Sequence, residues 1–357
     1  MKKVKLILEN GSEFIGKSFG SEKSIAGEVV FSTAMIGYTE SLTDPSYAGQ
    51  ILVSTYPMLG NYGVPGKSRT DNILDFFESD RIHVSALIVS SYSFQYSHWN
   101  AVESLGDWLK ENNVPGLYDI DTRALTKILR DHGSMQGKIE FENDEVELFN
   151  PNFENWVAQV SIAQPATYGN GDFKVLLLDC GTKNSIIRCL VQRGATVKRV
   201  PWNYDFTNET YDGLLISNGP GDPTLCDVTV DYLKKALLND KPIMGIGLGN
   251  QLLALAAGAK TYKLKHGHRS PSQPVMLNGT NRCFITSQNH GFAIDNDSIP
   301  SNWEASFINV NDNTNEGIRH KTKPFFSTQF YPDAASGSID TEFLFDNFIE
   351  SIKKSKL

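Results

Sequence analysis

The sequence is poor in cysteine, in runs of basic residues and in long apolar segments. Four cysteines occur among 357 residues, and none of them forms a Cys-x-x-Cys pair. This usage excludes a disulfide framework and favours reduced thiols in a cytoplasmic protein. Lys and Arg never run longer than a pair and the formal net charge is −8, so we expect neither nucleic acid nor a membrane as partner. No apolar stretch approaches the roughly 20 residues that span a bilayer.

Two nucleotide-binding motifs are each nearly present. In the stretch from Gly245 to Asn250, the third glycine of a G-x-G-x-x-G fingerprint would fall on Asn250. Residues 61–68 end in Gly-Lys-Ser like a P-loop, but they begin with Asn61 and no helix is predicted after them. His266 and His268 have no third ligand nearby in the sequence, which is more typical of a polar loop than of a metal site. We therefore predict no metal and no cofactor in this chain.

The length and texture of the chain predict two domains. A chain of 357 residues is too long for one ordinary core. Residues 1–150 show short strands, glycine turns and two helices, at 104–112 and 122–131, which predicts a β-rich α+β domain. Residues 151–172 are polar and are predicted to be a linker. From 173 to 357, strands alternate with helices of about ten residues, which predicts a doubly wound, mostly parallel sheet.

The most informative segment, residues 242–251, has the form of a nucleophile elbow. An apolar strand runs into a Gly-rich turn and then into a helix. In such a turn the central residue has a strained backbone and presents its side chain to a pocket. The central residue here is Gly247, so the turn presents no nucleophile.

A second loop, residues 218–223, precedes the elbow by one βα unit. Its sequence Asn-Gly-Pro-Gly-Asp-Pro allows backbone N–H groups to point into a cavity, as in an oxyanion hole. An ordinary βα turn is the alternative interpretation. The elbow and the later segment from Gln288 to Phe292 favour the functional interpretation.

These motifs carry a resemblance to a known family. Residues 31–40 (FSTAMIGYTE), 42–47 (LTDPSY), 56–63 (YPMLGNYG) and 120–126 (IDTRALT) resemble the N-terminal domain of the carbamoyl-phosphate synthetase small subunit. Residues 217–223, 245–249, 286–292 and 327–332 resemble its class I glutamine amidotransferase domain. The N-terminal motifs distinguish this subunit from other amidotransferases.

The resemblance implies a glutaminase of the Cys-His-Glu type that passes ammonia to a large subunit. That partner would bind ATP and magnesium and make carbamoyl phosphate for pyrimidine or arginine biosynthesis. By the same resemblance, the catalytic cysteine corresponds to Gly247, the histidine to Tyr331 and the glutamate to Asp333. All three catalytic positions therefore differ from the family pattern.

Each difference has a chemical consequence. Gly247 cannot form an acyl-enzyme, because it has no side chain. Tyr331 has an ordinary pKa of about 10, which makes it a poor general base near neutral pH. Asp333 is one methylene shorter than glutamate and has no imidazole to orient. We therefore predict an inactive glutaminase. Any enzymatic activity would then belong to a complex with the large subunit.

The resemblance also implies a glutamine pocket. Its candidate residues are Ser46, Gly219, Gly221, Leu248, Gln251, Asn289, Gly291 and Phe292. Their presence beside a degenerate triad allows two interpretations: a glutamine-sensing pseudo-amidotransferase, or residues that only pack the sheet. Cys180, at the end of the first strand of the sheet, is a poor substitute nucleophile because no base accompanies it.

Overall fold

The structure, a computed structural model, describes residues 3–356. The described chain divides into two compact units between residues 154 and 155, and residues 71–73 group with the second unit. The strands and helices before residue 141 are β1 (Lys3–Leu8), β2 (Glu13–Ser18), β3 (Ile25–Ser32), α1 (Tyr38–Thr43), β4 (Gln50–Ser54), β5 (Met58–Leu59), β6 (Val64–Pro65), β7 (Arg69–Thr70), β8 (Ile73–Leu74), β9 (Ala86–Ile88), β10 (Ser91–Tyr92), β11 (Ala101–Glu103), α2 (Leu105–Glu111), β12 (Gly116–Tyr118), α3 (Thr122–His132) and β13 (Met135–Glu140).

Seven of these strands close into a barrel in the order β1-β13-β3-β4-β9-β12-β2. The neighbours β3–β4, β4–β9 and β9–β12 are parallel, and the other pairs are antiparallel. Apolar side chains occupy both faces of the strands, so that Ile51 and Val53 pack in one cluster and Leu52 packs in another. This architecture confirms the predicted β-rich α+β domain.

The sequence determines where α3 begins. The carboxylate of Asp121 accepts a hydrogen bond of 2.8 Å from the backbone N–H of Ala124, as an N-cap does. Leu125 and Leu129 are fully buried one turn apart, and they fix the helix against the barrel.

The second unit is built on a ten-stranded sheet. Its elements are α4 (Trp156–Val160), β14 (Ala166–Tyr168), β15 (Phe173–Asp179), α5 (Asn184–Gln192), β16 (Ala195–Pro201), β17 (Gly213–Ile216), α6 (Asp227–Ala236), β18 (Ile243–Ile246), α7 (Leu248–Ala257), β19 (Thr261–Leu277), β20 (Cys283–Ile294), β21 (Trp303–Asn309), β22 (Asn315–His320), β23 (Phe325–Thr328) and α8 (Phe343–Ser355). The strand order is β14-β16-β15-β17-β18-β23-β22-β21-β19-β20.

The centre of this sheet, from β16 to β23, is parallel. Helices α5 and α8 contribute to one hydrophobic cluster and α6 and α7 to the other, with alternate residues of β15 on the two sides. The predicted doubly wound sheet is therefore confirmed. Both edges are antiparallel, with β14 at one and the four strands β22, β21, β19 and β20 at the other, so the sheet as a whole is mixed.

The segment predicted to be a linker, residues 151–172, is partly built into the second unit. Val157 of α4 is buried in a hydrophobic cluster, and β14 pairs with β16 as an edge strand. Short elements such as α4 and β14 are stabilised by tertiary contacts, so the polar sequence of this segment does not predict a helix or a strand.

No helix in the described part of the chain is long and apolar enough to cross a membrane.

Candidate functional site

The predicted elbow is present at the carboxyl edge of the second sheet. Strand β18 ends at Ile246, helix α7 begins at Leu248, and Gly247 between them has φ 59° and ψ −113°. The N–H of Gly247 donates a hydrogen bond of 2.8 Å to the carbonyl of Thr328 on the neighbouring strand β23. Because an L-residue rarely adopts such a positive φ, the backbone keeps the strained form of an elbow while the side chain is missing.

Tyr331 occupies the space beside the elbow. A Cβ atom placed on Gly247 would lie 3.3 Å from Cε1 of Tyr331 and 3.2 Å from Cβ of Asn218. The Tyr331 ring is buried with 4% exposure, and its N–H donates to the carbonyl of Ser287 at 2.9 Å. A cysteine side chain at this position would therefore have to compete with the tyrosine for space.

Asp333 forms a buried ion pair with Lys183. The distance between Lys183 Nζ and Asp333 Oδ2 is 2.7 Å, and the two side chains are 3% and 0% exposed. The hydroxyl of Ser185 donates to the same oxygen at 2.5 Å. The ammonium also lies 4.4 Å from the centre of the Tyr331 ring, within the range of a cation–π contact. The carboxylate therefore neutralises a buried lysine, whereas in the family pattern the residue at this position orients the catalytic histidine.

The glycines of the loop at 218–223 are explained by close packing. A Cβ on Gly219 would lie 2.1 Å from the carbonyl oxygen of Cys180, which leaves no room for a side chain. Gly221 has φ 84°. Asn218 is fully buried, and its side-chain oxygen accepts a hydrogen bond of 3.2 Å from the N–H of Lys183. These contacts favour the interpretation as a tightly packed turn, and the oxyanion hole stays a prediction.

The structure brings several candidate pocket residues together. Gln251 donates from Nε2 to the carbonyl of Phe292 at 2.9 Å and to Gln329 Oε1 at 3.0 Å. Tyr331 donates from its hydroxyl to the carbonyl of Asn289 at 3.4 Å. Leu248 is buried at the start of α7, and Gly291 lies between Asn289 and Phe292 on β20.

Ser46 belongs to the first unit, whereas the other candidate pocket residues belong to the second. It lies in a short 3₁₀ turn, Pro45–Tyr47, where its N–H donates to the Asp44 carboxylate at 2.9 Å. Its side chain is buried, with 6% exposure.

Three of the four cysteines of the second unit, Cys180, Cys189 and Cys226, are buried and are poor substitute nucleophiles. Cys180 is fully buried, and burial raises the pKa of its thiol well above the ordinary value. Burial also raises the pKa of Cys189 and that of Cys226 to about 12. Because the thiolate is the nucleophile, burial disfavours attack by these three side chains near neutral pH.

Sequence reasoning missed Lys183 and Ser185. Both lie just after β15, at the carboxyl edge where ligands of parallel sheets bind, and this position was the available signal. Their link to Asp333 spans about 150 residues of sequence (150 from Lys183 and 148 from Ser185) and could not be read from any local motif.

Comparisons with protein families match both units. Residues 6–139 match the carbamoyl-phosphate synthase small chain, CPSase domain, and residues 176–351 match glutamine amidotransferase class-I. The second match includes the elbow, Tyr331 and Asp333.

Curated relatives match the chain over nearly its whole length. Carbamoyl-phosphate synthase [ammonia], mitochondrial, of Rattus norvegicus is 51% identical over 357 residues, covering 98% of this chain and 24% of the relative. Multifunctional protein pyr1-3 of Dictyostelium discoideum is 50% identical over 376 residues, covering 98% of this chain and 17% of the relative. The chain thus spans a quarter or less of the length of these relatives.

We predict that Gly247→Cys destabilises the protein by about 1–3 kcal/mol, through positive-φ strain and crowding against Tyr331. Gly279→Cys is the matched control, because Gly279 has φ 77° and a Cβ there would meet nothing within 4 Å. Urea unfolding of both variants separates crowding from backbone strain. Tyr331→His should relieve part of the Gly247→Cys cost, and equal costs in both backgrounds would contradict the contact.

We predict that Lys183→Met or Asp333→Asn lowers the free energy of unfolding by about 3–5 kcal/mol, because each leaves an uncompensated buried group. The exposed pair Lys234–Asp231, at 2.9 Å, is the control, and breaking it should cost about 0.5 kcal/mol or less. The double variant Lys183→Met/Asp333→Asn should cost less than the sum of the single changes. Additive effects in denaturant unfolding would exclude a coupled pair.

Proposed function

Since the chain belongs to the carbamoyl-phosphate synthase small-chain family and carries a class I glutamine amidotransferase domain, we propose that it is a glutaminase-type subunit or segment whose glutaminase step has been lost. In this proposal it associates with an ATP-dependent synthetase part, which binds ATP and magnesium and makes carbamoyl phosphate from free ammonia. The synthetase part would be a separate large subunit or a further portion of the same polypeptide.

The observation that carries this proposal is the elbow without a nucleophile. Glutamine hydrolysis by this family device requires a thiolate that attacks the amide carbon, and Gly247 offers only hydrogen there. Tyr331 has no basic nitrogen to accept the proton, and Asp333 is engaged by Lys183 and Ser185. Loss of the nucleophile alone lowers kcat by up to about 10⁶-fold in a catalytic triad, and further losses add little.

The names of the relatives support the ammonia-dependent form of the proposal. The rat protein, and a human protein at 51% identity, are both named carbamoyl-phosphate synthase [ammonia]. Because this chain covers 24% of each, the synthetase reaction is proposed for the assembly rather than for the chain. The product would serve pyrimidine or arginine biosynthesis. We propose the cytoplasm as compartment, although both of these relatives are named mitochondrial.

One observation favours a second candidate function, the sensing of glutamine. Oε1 of Gln251 is buried and accepts no hydrogen bond within residues 3–356. An unpaired buried acceptor is costly, and the ammonium group of an amino acid would satisfy it. In this alternative, glutamine binds at the degenerate site and regulates the synthetase part.

We predict that the chain, purified together with its synthetase part, forms carbamoyl phosphate from ammonium, bicarbonate and ATP but not from glutamine. Gly247→Cys alone should not change this result, because Tyr331 cannot act as the base. The variant Gly247→Cys/Tyr331→His/Asp333→Glu is the control for a restored triad. Glutamine hydrolysis by the unmodified chain at a rate similar to that of the restored variant would refute the proposal.

Calorimetry with glutamine tests the alternative. Glutamine sensing predicts saturable heat at millimolar ligand and its loss in Gln251→Leu, whereas Gln251 in a purely packing role predicts no heat with either protein.

A further inference from the structure

A cluster of histidine and carboxylate side chains is buried in the antiparallel part of the second sheet. His268 lies on β19, His290 on β20 and Glu316 on β22, and their exposures are 8%, 7% and 0%. One possible ligand atom from each of the three lies within 4.8 Å of the other two. Neither the elbow residue Gly247 nor the Lys183–Asp333 pair belongs to this cluster.

Each histidine is fixed by a hydrogen bond at one ring nitrogen, called here the outer nitrogen, while its other nitrogen, the inner one, faces the cluster. Nε2 of His268 lies 2.8 Å from the Asp312 carboxylate, and Nδ1 of His290 lies 2.8 Å from the carbonyl of Phe292. Since these partners can only accept, both outer nitrogens carry hydrogens. Metal-binding histidines have the same arrangement, in which a carboxylate or carbonyl fixes the tautomer and leaves the inner nitrogen as a ligand.

The inner nitrogens converge on two oxygens. Nδ1 of His268 lies 2.9 Å from Gln288 Oε1 and 3.2 Å from Glu316 Oε1. Nε2 of His290 lies 3.1 Å from Gln288 Oε1 and 3.8 Å from Glu316 Oε1. Ligand atoms around a tetrahedral zinc ion are roughly 3.3 Å apart, as follows from zinc–ligand distances of ~2.0–2.1 Å. The four nitrogen–oxygen separations, 2.9–3.8 Å, bracket this value.

The contact between His290 and Gln288 lacks a hydrogen. Because the Nδ1 hydrogen of His290 is donated to the carbonyl of Phe292, a neutral ring turns its Nε2 lone pair to an oxygen of Gln288. Exchanging the oxygen and nitrogen of the Gln288 amide would place the contact between two acceptors elsewhere. In that orientation its oxygen would face the hydroxyl of Thr286, whose hydrogen is donated to the carbonyl of Gln273. Either orientation leaves two acceptors in contact.

One further feature indicates a cation. Oε2 of Glu316 is buried and accepts no hydrogen bond from the residues that the structure describes. An unpaired buried carboxylate oxygen is costly, and a cation bound beside it would offset its charge.

We propose that His268, His290, Glu316 and Gln288 form a structural zinc site that joins β19, β20 and β22. Imidazole and carboxylate ligands suit zinc, and the charges of Glu316 and Asp312 offset those of the ion. Four protein ligands would complete a tetrahedral shell, so the site is structural and leaves no position for a reacting water. No local motif indicated Glu316 as a ligand beside His268, because it lies 48 residues further along the chain.

The test is a direct measurement of metal binding. The purified chain is dialysed against a chelator, loaded with zinc, passed through gel filtration and analysed for metal by mass spectrometry. We expect about one zinc per chain. Loading with cobalt(II) should give the intense visible absorption of a tetrahedral site, and a weak octahedral spectrum or less than about 0.1 zinc per chain would overturn the proposal.

Single variants then locate the ion. Glu316→Gln and His290→Gln should weaken zinc binding by at least ~100-fold, and Asp312→Asn by ~10–100-fold. His132→Gln, at an exposed histidine of the first unit, is the control and should bind like the unmodified chain. Circular dichroism confirms that each variant is folded. Folded Glu316→Gln and His290→Gln variants that retain full zinc affinity would show an adventitious ion and refute the site.

Discussion

The buried ion pair between Lys183 and Asp333 is the interaction on which the degenerate site depends. A lysine that is 3% exposed must be neutralised, and Asp333 does this through one carboxylate oxygen, which also accepts a hydrogen bond from Ser185. The same ammonium lies over the Tyr331 ring, which fills the space next to Gly247. The three positions that differ from the family pattern are therefore linked, because Gly247 lies beside Tyr331, and Tyr331 and Asp333 both contact Lys183. Changing one alone leaves the other two arranged for a different partner.

The architecture of the sheet explains why these residues meet. Lys183, Asn218, Gly247 and Tyr331 follow β15, β17, β18 and β23, which are consecutive parallel strands whose carboxyl ends lie at one edge. Close approach between backbones at this edge requires glycine, as at Gly219, where a Cβ would lie 2.1 Å from a carbonyl oxygen. Such glycines are needed whether or not the site is catalytic, so their presence does not indicate activity.

The sequence predicted the parts of the molecule that local patterns determine. Alternating strands and helices indicated the doubly wound sheet, and the Gly-rich turn at 247 indicated the elbow. It did not indicate β14, whose pairing with β16 is an edge contact of a short polar segment. The partners of Asp333 and the cluster of His268, His290 and Glu316 also escaped it, because each joins residues that are distant in sequence and close only in the folded sheet.

The central claim, that no residue of this chain attacks glutamine, is tested most directly by trapping a covalent intermediate. The protein is incubated with excess glutamine, quenched in acid and weighed intact by mass spectrometry. Our account predicts the mass of the unmodified chain alone. A γ-glutamyl adduct, mapped to Cys180, Lys183 or any other side chain, would contradict it.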